Sequence, residues 1–191
     1  IGVHTIEWAV NMHGWGRVIA IEAQERIFYA LAGNIAINNC FNARAIWAAA
    51  GDRAGHINAP VPDYLIPSSF GSLEMRERDS NEFIGQKIDY SEEKSLRTPL
   101  ITIDGLNLRR VDFIKIDVEG MENEVLHGAN ETIKNYKPVL LVERIKSDEA
   151  NLKAYLEDFG YNLFYSGINI LAVHESDPTL KHIHDAKRDR K

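Results

Sequence analysis

Four short apolar runs rich in β-branched residues constrain the fold most. They are "RVIAIE" (17–22), "ARAIWAAAGD" (43–52), "VDFIKID" (111–117) and "KPVLLVE" (137–143), and every one closes on a carboxylate. Such runs read as strands buried on both faces. Helical patterns lie between them. Residues 3–13 put Ile6, Ala9 and Val10 on one side, and "GWG" at 14–16 stops that helix. Residues 24–38 space Ile27, Leu31 and Ile35 four apart, the stripe of a helix lying on a sheet. After Glu119, the positions Met121, Val125, Leu126 and Ala129 share a face, with Gly128 as the stop. Ser147 or Asp148 can cap a helix carrying Leu152, Tyr155, Leu156 and Phe159, closed by Gly160. "NLFYS" (162–166) and "NILAVH" (169–174), with only Gly167-Ile168 between them, read as a tight hairpin. Strands alternating with helices imply βαβ units, so the expected class is α/β with a mostly parallel sheet covered on both faces.

Residues 56–100 break this rhythm. They hold four of the six prolines and the polar stretch "EMRERDSNEFIGQKIDYSEEKS", with no sustained stripe. The segment reads as loop and short strands over one edge of the sheet, the part of a domain that most often carries function. With 191 residues, 45% of them hydrophobic, the chain is expected to build one domain around one core, with 175–191 as a polar tail. Net charge is −6, and no Lys/Arg stripe follows a phosphate backbone, so nucleic acid is a poor partner. The tail "AKRDRK" alternates with an acid and reads as a frayed end. A lone Cys40 excludes an internal disulfide and fits a reducing, cytoplasmic setting. No apolar stretch reaches the ~18 residues of a membrane span.

In a parallel sheet the strand ends point one way, so Glu22, Asp52, Asp117 and Glu143 are expected on a single rim, where open α/β sheets bind ligands. Converging carboxylates repel, and a cationic or hydroxyl-rich ligand would relieve that cost. The competing account is that each acid only caps the next helix. Glu22, after the second strand of a nucleotide-type βαβ unit, can accept from both hydroxyls of a ribose. Asp52, beside flexible Gly51, can accept from an exocyclic amine. Asp117 and Glu119 stand nearest mid-sheet, where a carboxylate can face a sulfonium or take a proton from a hydroxyl nucleophile. Gly120 lets a ligand or backbone come close.

"FIKIDVEGMENEVLHGA" (113–129), preceded by "TPLITIDGL" (98–106) and followed by "KPVLLVE", resembles the FkbM-type S-adenosylmethionine-dependent methyltransferases. The matching core is Lys115-Ile116-Asp117-Val118-Glu119-Gly120, then Glu122, Leu126 and Gly128-Ala129. "GRVIAIEAQ" is similar to the family's second motif and "AIWAAAGDRAG" to its third. The resemblance runs from Ile1 to about residue 174. It implies a Rossmann-like class I methyltransferase fold with an antiparallel last strand, S-adenosylmethionine as cofactor, and methyl transfer to a hydroxyl of a small molecule, sugar or glycolipid. Carried over by position, Glu22 and Ala23 would hold the ribose and Gly51-Asp52 would lie near the adenine. Ile1, Gly2 and Thr5 would border the methionine portion. Asp117 and Glu119 would face the methionine end and the acceptor as catalytic residues, with Glu143 beside the acceptor.

The chain departs from the family at its start. The first motif, a strand ending in a pattern like Asp-x-Gly-Ala-Asn-Ile-Gly, survives only as Ile1-Gly2. By resemblance that strand lies mid-sheet, and its truncation would leave two unpaired edges. Either natural sequence precedes Ile1, or the chain is a fragment that forms a homo-oligomer through those edges and binds cofactor poorly.

Several residues carry two readings. His4 and Thr5 could touch the methionine carboxylate or simply begin a helix. Ser68, Ser69 and Ser72 could line an acceptor pocket or form an ordinary turn. His182 and His184 have metal-like spacing in a polar terminal segment. Asp104, Asp117 and Glu119 could hold Mg²⁺ as in catechol-type methyltransferases. Trp8, Trp15 and Trp47 are most simply core or sheet-covering residues. A nicotinamide-dependent dehydrogenase would share the Glu22 carboxylate but needs a full glycine fingerprint, which is missing from Ile1 onward.

Overall fold

β1 (Val18–Glu22) and β2 (Ala43–Trp47) pair in parallel, Val18 opposite Ala43 and Glu22 opposite Trp47, and the helix α2 (Glu25–Ile37) connects them. This is the βαβ unit that the apolar runs predicted. The structure is a computed structural model that describes residues 1–188, with side chains through residue 183. The described chain divides into two compact units, Ile1–Ile101 and a second that begins at Thr102.

In the first unit, α1 (Val3–Asn11) lays Ala9 against Val18 and Cys40, and Ile6, Trp8, Met12, Ile35 and Ala43 surround that centre. The Asn42 side chain donates to Ala9 O (2.9 Å) and Gly16 O (3.1 Å), tying the end of the helix to the approach to β2. The run 43–52 is not one strand. Pairing with β1 ends at Trp47, and Ala48 N–H still reaches Glu22 O at 3.1 Å. The two-residue β3 (Ala49–Ala50) then pairs with β5 (Ser95–Ile101). Asp52 falls beyond this partner switch in an exposed bend. β5 also pairs antiparallel with β4 (Gly55–Pro60), giving the order β3-β5-β4. Its pattern is hard to read because Pro99 has no N–H for the ladder and demotes a run to edge or non-strand. Between β4 and β5 the chain is irregular, as expected, with 3₁₀ turns at Phe70–Ser72 and Glu92–Lys94. Leu73, Met75 and Ile84 give it a small buried anchor.

The second unit holds a mixed sheet in the order β6-β7-β9-β8. β6 (Phe113–Ile116) and β7 (Val139–Glu143) are parallel, whereas β9 (Asn169–His174) is antiparallel to both β7 and β8 (Tyr161–Ser166). The hairpin turn uses Gly167 at φ 58°, conformationally cheap for glycine. The crossover from β6 to β7 contains α3 (Glu122–His127), ending at Gly128 as predicted, and α4 (Asn130–Tyr136), which no pattern announced. Asp104 explains α4: its carboxylate accepts Glu131 N–H (3.0 Å), Thr132 N–H (2.8 Å) and the Thr132 hydroxyl (2.6 Å). Asp104 is therefore a helix cap and not part of a metal triad with Asp117 and Glu119. Asp104→Ala is expected to cost about 1–2 kcal/mol in thermal denaturation, a deficit that added Mg²⁺ leaves unchanged.

Asp148 caps α5 (Glu149–Asp158), accepting Asn151 N–H at 3.1 Å, as the sequence indicated. Leu152 and Leu156 from this helix join Ile116, Leu126, Ile133, Leu140, Val142 and Ile170 in the core. The polar tail contains one more helix, α6 (Thr179–Arg188), opened by Asp177, which accepts Thr179 N–H at 2.8 Å. His182 is exposed on it, and the side chain of His184 lies outside the described residues. No helix among the described residues is long and apolar enough to cross a membrane.

Candidate active site

Parallel register brings the acids together in the second unit. Ile116 pairs with Val142, so Asp117, the first residue past β6, comes level with Glu143, the last residue of β7, which still pairs with Asn169 of β9. The chain then turns through Glu119 at φ 54° and Gly120 at φ 96°. A left-handed glutamate costs of order 1–3 kcal/mol and persists only where its surroundings hold it. The turn brings carboxylate oxygens of Asp117, Glu119 and Glu143 within 4.8 Å of one another.

Two lysines share this edge: Lys115, which the motif contains without a role assigned to it, and Lys146, which no motif singles out. Lys115 pairs with Asp117, and Lys146 Nζ lies 2.6 Å from Glu119 Oε2. The Lys146 and Glu119 side chains are 13% and 14% exposed, so this pair is largely withdrawn from water. The lysines supply part of the cationic relief that the sequence reading assigned to a ligand. Burial pushes the Glu143 carboxyl up to about 8, reinforced by its hydrogen bond to Asp117 and by the charges of Asp117, Glu119 and Glu122. Near neutral pH Glu143 thus carries a proton that it shares with Asp117. Burial also raises the Glu119 carboxyl, and Lys146 opposes that rise.

A stability profile follows. Below its ordinary value of 4.5 Glu143 is protonated both folded and unfolded; between there and about 8 only the folded chain keeps the proton. Stability therefore falls as pH rises through that window, by at most about 1.4 kcal/mol per pH unit. Urea denaturation across the window should show this slope, and Glu143→Gln should flatten it.

The first unit has its own constellation. Glu22 ends β1 half-buried, and its Oε1 accepts Gln24 N–H at 2.8 Å. Burial raises its pKa, while the Gln24 N–H and the Ala23 N–H pull it back. Gln24 is buried; its Nε2 donates to Phe70 O at 2.7 Å, and Tyr64 Oη donates to its Oε1 at 3.3 Å. The Tyr64 and Phe70 rings lie 4.9 Å apart. Burial, with help from the Glu22 charge, pushes the Tyr64 phenol up to about 12. Part of the 56–100 segment is thus fastened beside Glu22 by residues the sequence reading missed. The available signal was a pair of aromatics, Tyr64 and Phe70, flanking Pro67 at equal spacing.

The other predicted positions have plain structural employment. Gly2 has φ 85°, a backbone conformation that favours glycine, and a Cβ there would come within 2.6 Å of Leu31 Cδ1 and push it aside. Ile1 O accepts from Asn34 Nδ2 at 2.9 Å, Thr5 is buried, and His4 stacks on Trp8. Trp47 Nε1 donates to Ala23 O at 3.1 Å, and Gly51 N–H donates to Ile101 O at 2.9 Å. Asp52 pairs with Arg53 at 3.3 Å in its exposed bend. Ser69 and Ser72 hydroxyls lie 3.1 Å apart, Ser69 N–H bonds Ile84 O at 2.7 Å, and Ser68 Oγ accepts from Gln86. These serines brace the loop on itself.

The model of the methyltransferase FkbM domain matches residues 1–163. The chain belongs to the FkbM methyltransferase domain family. Among solved structures, methyltransferase FkbM from Methylobacillus flagellatus KT is similar at a TM-score of 0.61 and 16% identity, over 90% of this chain and 40% of that one. That likeness speaks to the Rossmann-like fold, and the chain spans less than half the length of that FkbM protein. No curated protein matches the chain.

Proposed function

We propose that this FkbM-domain chain is an S-adenosylmethionine-dependent methyltransferase acting on a hydroxyl oxygen. The observation that carries the reading is the three-carboxylate cluster at the C-terminal edge of β6 and β7, held by Lys115 and Lys146. The donor and acceptor set fits the cofactor. Glu22 can take ribose hydroxyls, and the Tyr64–Phe70 pair, its rings tilted by 41°, offers an aromatic face of the kind a purine uses. By the family resemblance Ile1, Gly2 and Thr5 would border the methionine portion, Ala23 the ribose and Gly51-Asp52 the adenine. When bound, S-adenosylmethionine supplies an electrophilic methyl that passes to the acceptor oxygen as the carbon–sulfur bond breaks and leaves a neutral thioether.

The residues of the chain do the rest. Glu119 accepts the hydroxyl proton; its raised pKa makes its ionised form a stronger base than an ordinary carboxylate. Lys146 keeps that form populated and aimed. Asp117 and Glu143 share a proton and orient the acceptor by hydrogen bonds, a positioning role that supplies much of the rate in such displacements. Ser69 and Ser72 remain candidates for acceptor contact.

Calorimetric titration with S-adenosylmethionine and, separately, with NAD tests the reading. Heat from the former alone is expected, and Glu22→Gln should weaken that binding about tenfold by removing charged hydrogen-bond acceptors. Binding of NAD in its place would point to a dehydrogenase.

A further inference from the structure

We propose that Glu122 is the positioning residue that sets the geometry of Glu119 and its counter-ion; its kinetic meaning rests on the methyltransferase reading above, its structural meaning does not. Glu122 is 1% exposed, among the most deeply buried side chains in the chain. A glutamate at the start of a helix ordinarily faces water and merely suits the helix dipole. This one points backward instead. Its Oε1 accepts Val118 N–H and Gly120 N–H, both at 3.2 Å, the two peptide groups that bracket Glu119. Its Oε2 accepts the hydroxyl of Ser147, the residue after Lys146.

One carboxyl group thus fastens both flanks of the candidate base and the neighbour of the lysine that pairs with it. Glu119 sits at φ 54°, a conformation that must be over-determined by its surroundings to persist. The two bonds to Glu122 provide that, and the Ser147 bond fixes the segment from which Lys146 reaches Glu119. Satisfying the α3 N-terminus alone would not require this, because Val118 and Gly120 both precede the helix.

Three variants separate the possibilities. Glu122→Gln and Glu122→Leu both remove the carboxylate, but only glutamine can still accept the two N–H groups with its oxygen and donate to Ser147 Oγ. Comparing them isolates the hydrogen bonds from the charge. Amide hydrogen exchange at Val118 and Gly120 and the NMR titration of the Glu119 carboxyl are the readouts, and neither needs a cofactor. Glu122→Leu is expected to speed exchange at both amides about tenfold or more and to move the Glu119 titration upward as Lys146 drifts away. Glu122→Gln should restore most of the protection and leave the Glu119 titration at or just below its wild-type position, because the Glu122 charge itself raises Glu119. In turnover, Glu122→Leu should lose about 10²-fold in kcat, the scale of a small misplacement of a reacting group, and Glu122→Gln should recover most of that loss. Should Glu122→Leu not fold, Ser147→Ala is decisive: it should keep Val118 and Gly120 protected and still shift Glu119. Wild-type exchange and titration in Glu122→Leu, equal behaviour of the two Glu122 variants, or an unshifted Glu119 in Ser147→Ala would each overturn the proposal. Failure of the wild-type chain to bind S-adenosylmethionine would count against the methyltransferase reading alone.

Discussion

Changing Asp117 to Asn and Glu119 to Gln in one chain is expected to lower methyl transfer about 10²–10⁴-fold, the weight of a positioned proton acceptor. The amides keep the shape and hydrogen-bonding capacity of the acids, so far-UV circular dichroism should not change. Cofactor affinity should move much less than kcat, because the lost interaction belongs to the step at the acceptor oxygen. Between the single variants, Glu119→Gln should carry the larger loss: Asp117 is already engaged with Lys115 and the shared Glu143 proton. A double variant that turns over at the wild-type rate would remove both residues from the chemistry.

The second large effect is on stability. Lys146→Met should destabilise the chain by about 3 kcal/mol, since it strands a carboxylate in a largely dry site. Adding Glu119→Gln should return most of that loss, because no uncompensated charge then remains. Lys115→Met is the useful contrast. Asp117 is 41% exposed, and water can solvate it alone, so the cost should stay near the 0–1 kcal/mol of surface pairs. Urea denaturation of the four proteins, read as midpoints at constant slope, measures the whole set.

The parts of this architecture with strong local signals were legible in advance. β1, β7, α2, the capped helix α5 and the Gly167 hairpin are written in apolar spacing, a cap residue and a turn glycine. The edge rule for parallel strands expected Glu22, Asp52, Asp117 and Glu143 on one rim; of these, the cluster holds Asp117 and Glu143, joined by Glu119 through its turn, whereas Asp52 lies in an exposed bend past the partner switch at Ala48. Elements whose determinants lie far away in the chain were not legible. α4 has few apolar residues of its own, and its cap, Asp104, lies 27 residues before Glu131. β5 hides behind Pro99. The break at Ala48 arises because β3 finds a partner in β5, a long-range choice invisible in "ARAIWAAAGD". Lys146 looks like an ordinary surface lysine until the fold turns it toward Glu119, and Lys115 stands in the β6 motif with no sign of its pairing to Asp117. Gln24, Tyr64 and Phe70 meet across 40 or more residues, a distance over which pattern carries no information.

Transfer of a labelled methyl group from S-adenosylmethionine, followed by base treatment of the product, tests the enzyme assignment most directly. Incubated with a panel of hydroxylated acceptors, the chain should deposit label that survives base, as a methyl ether does. Label released by base would mark a carboxylate acceptor, and no transfer to any acceptor, from protein that is folded and binds the cofactor, would contradict the account.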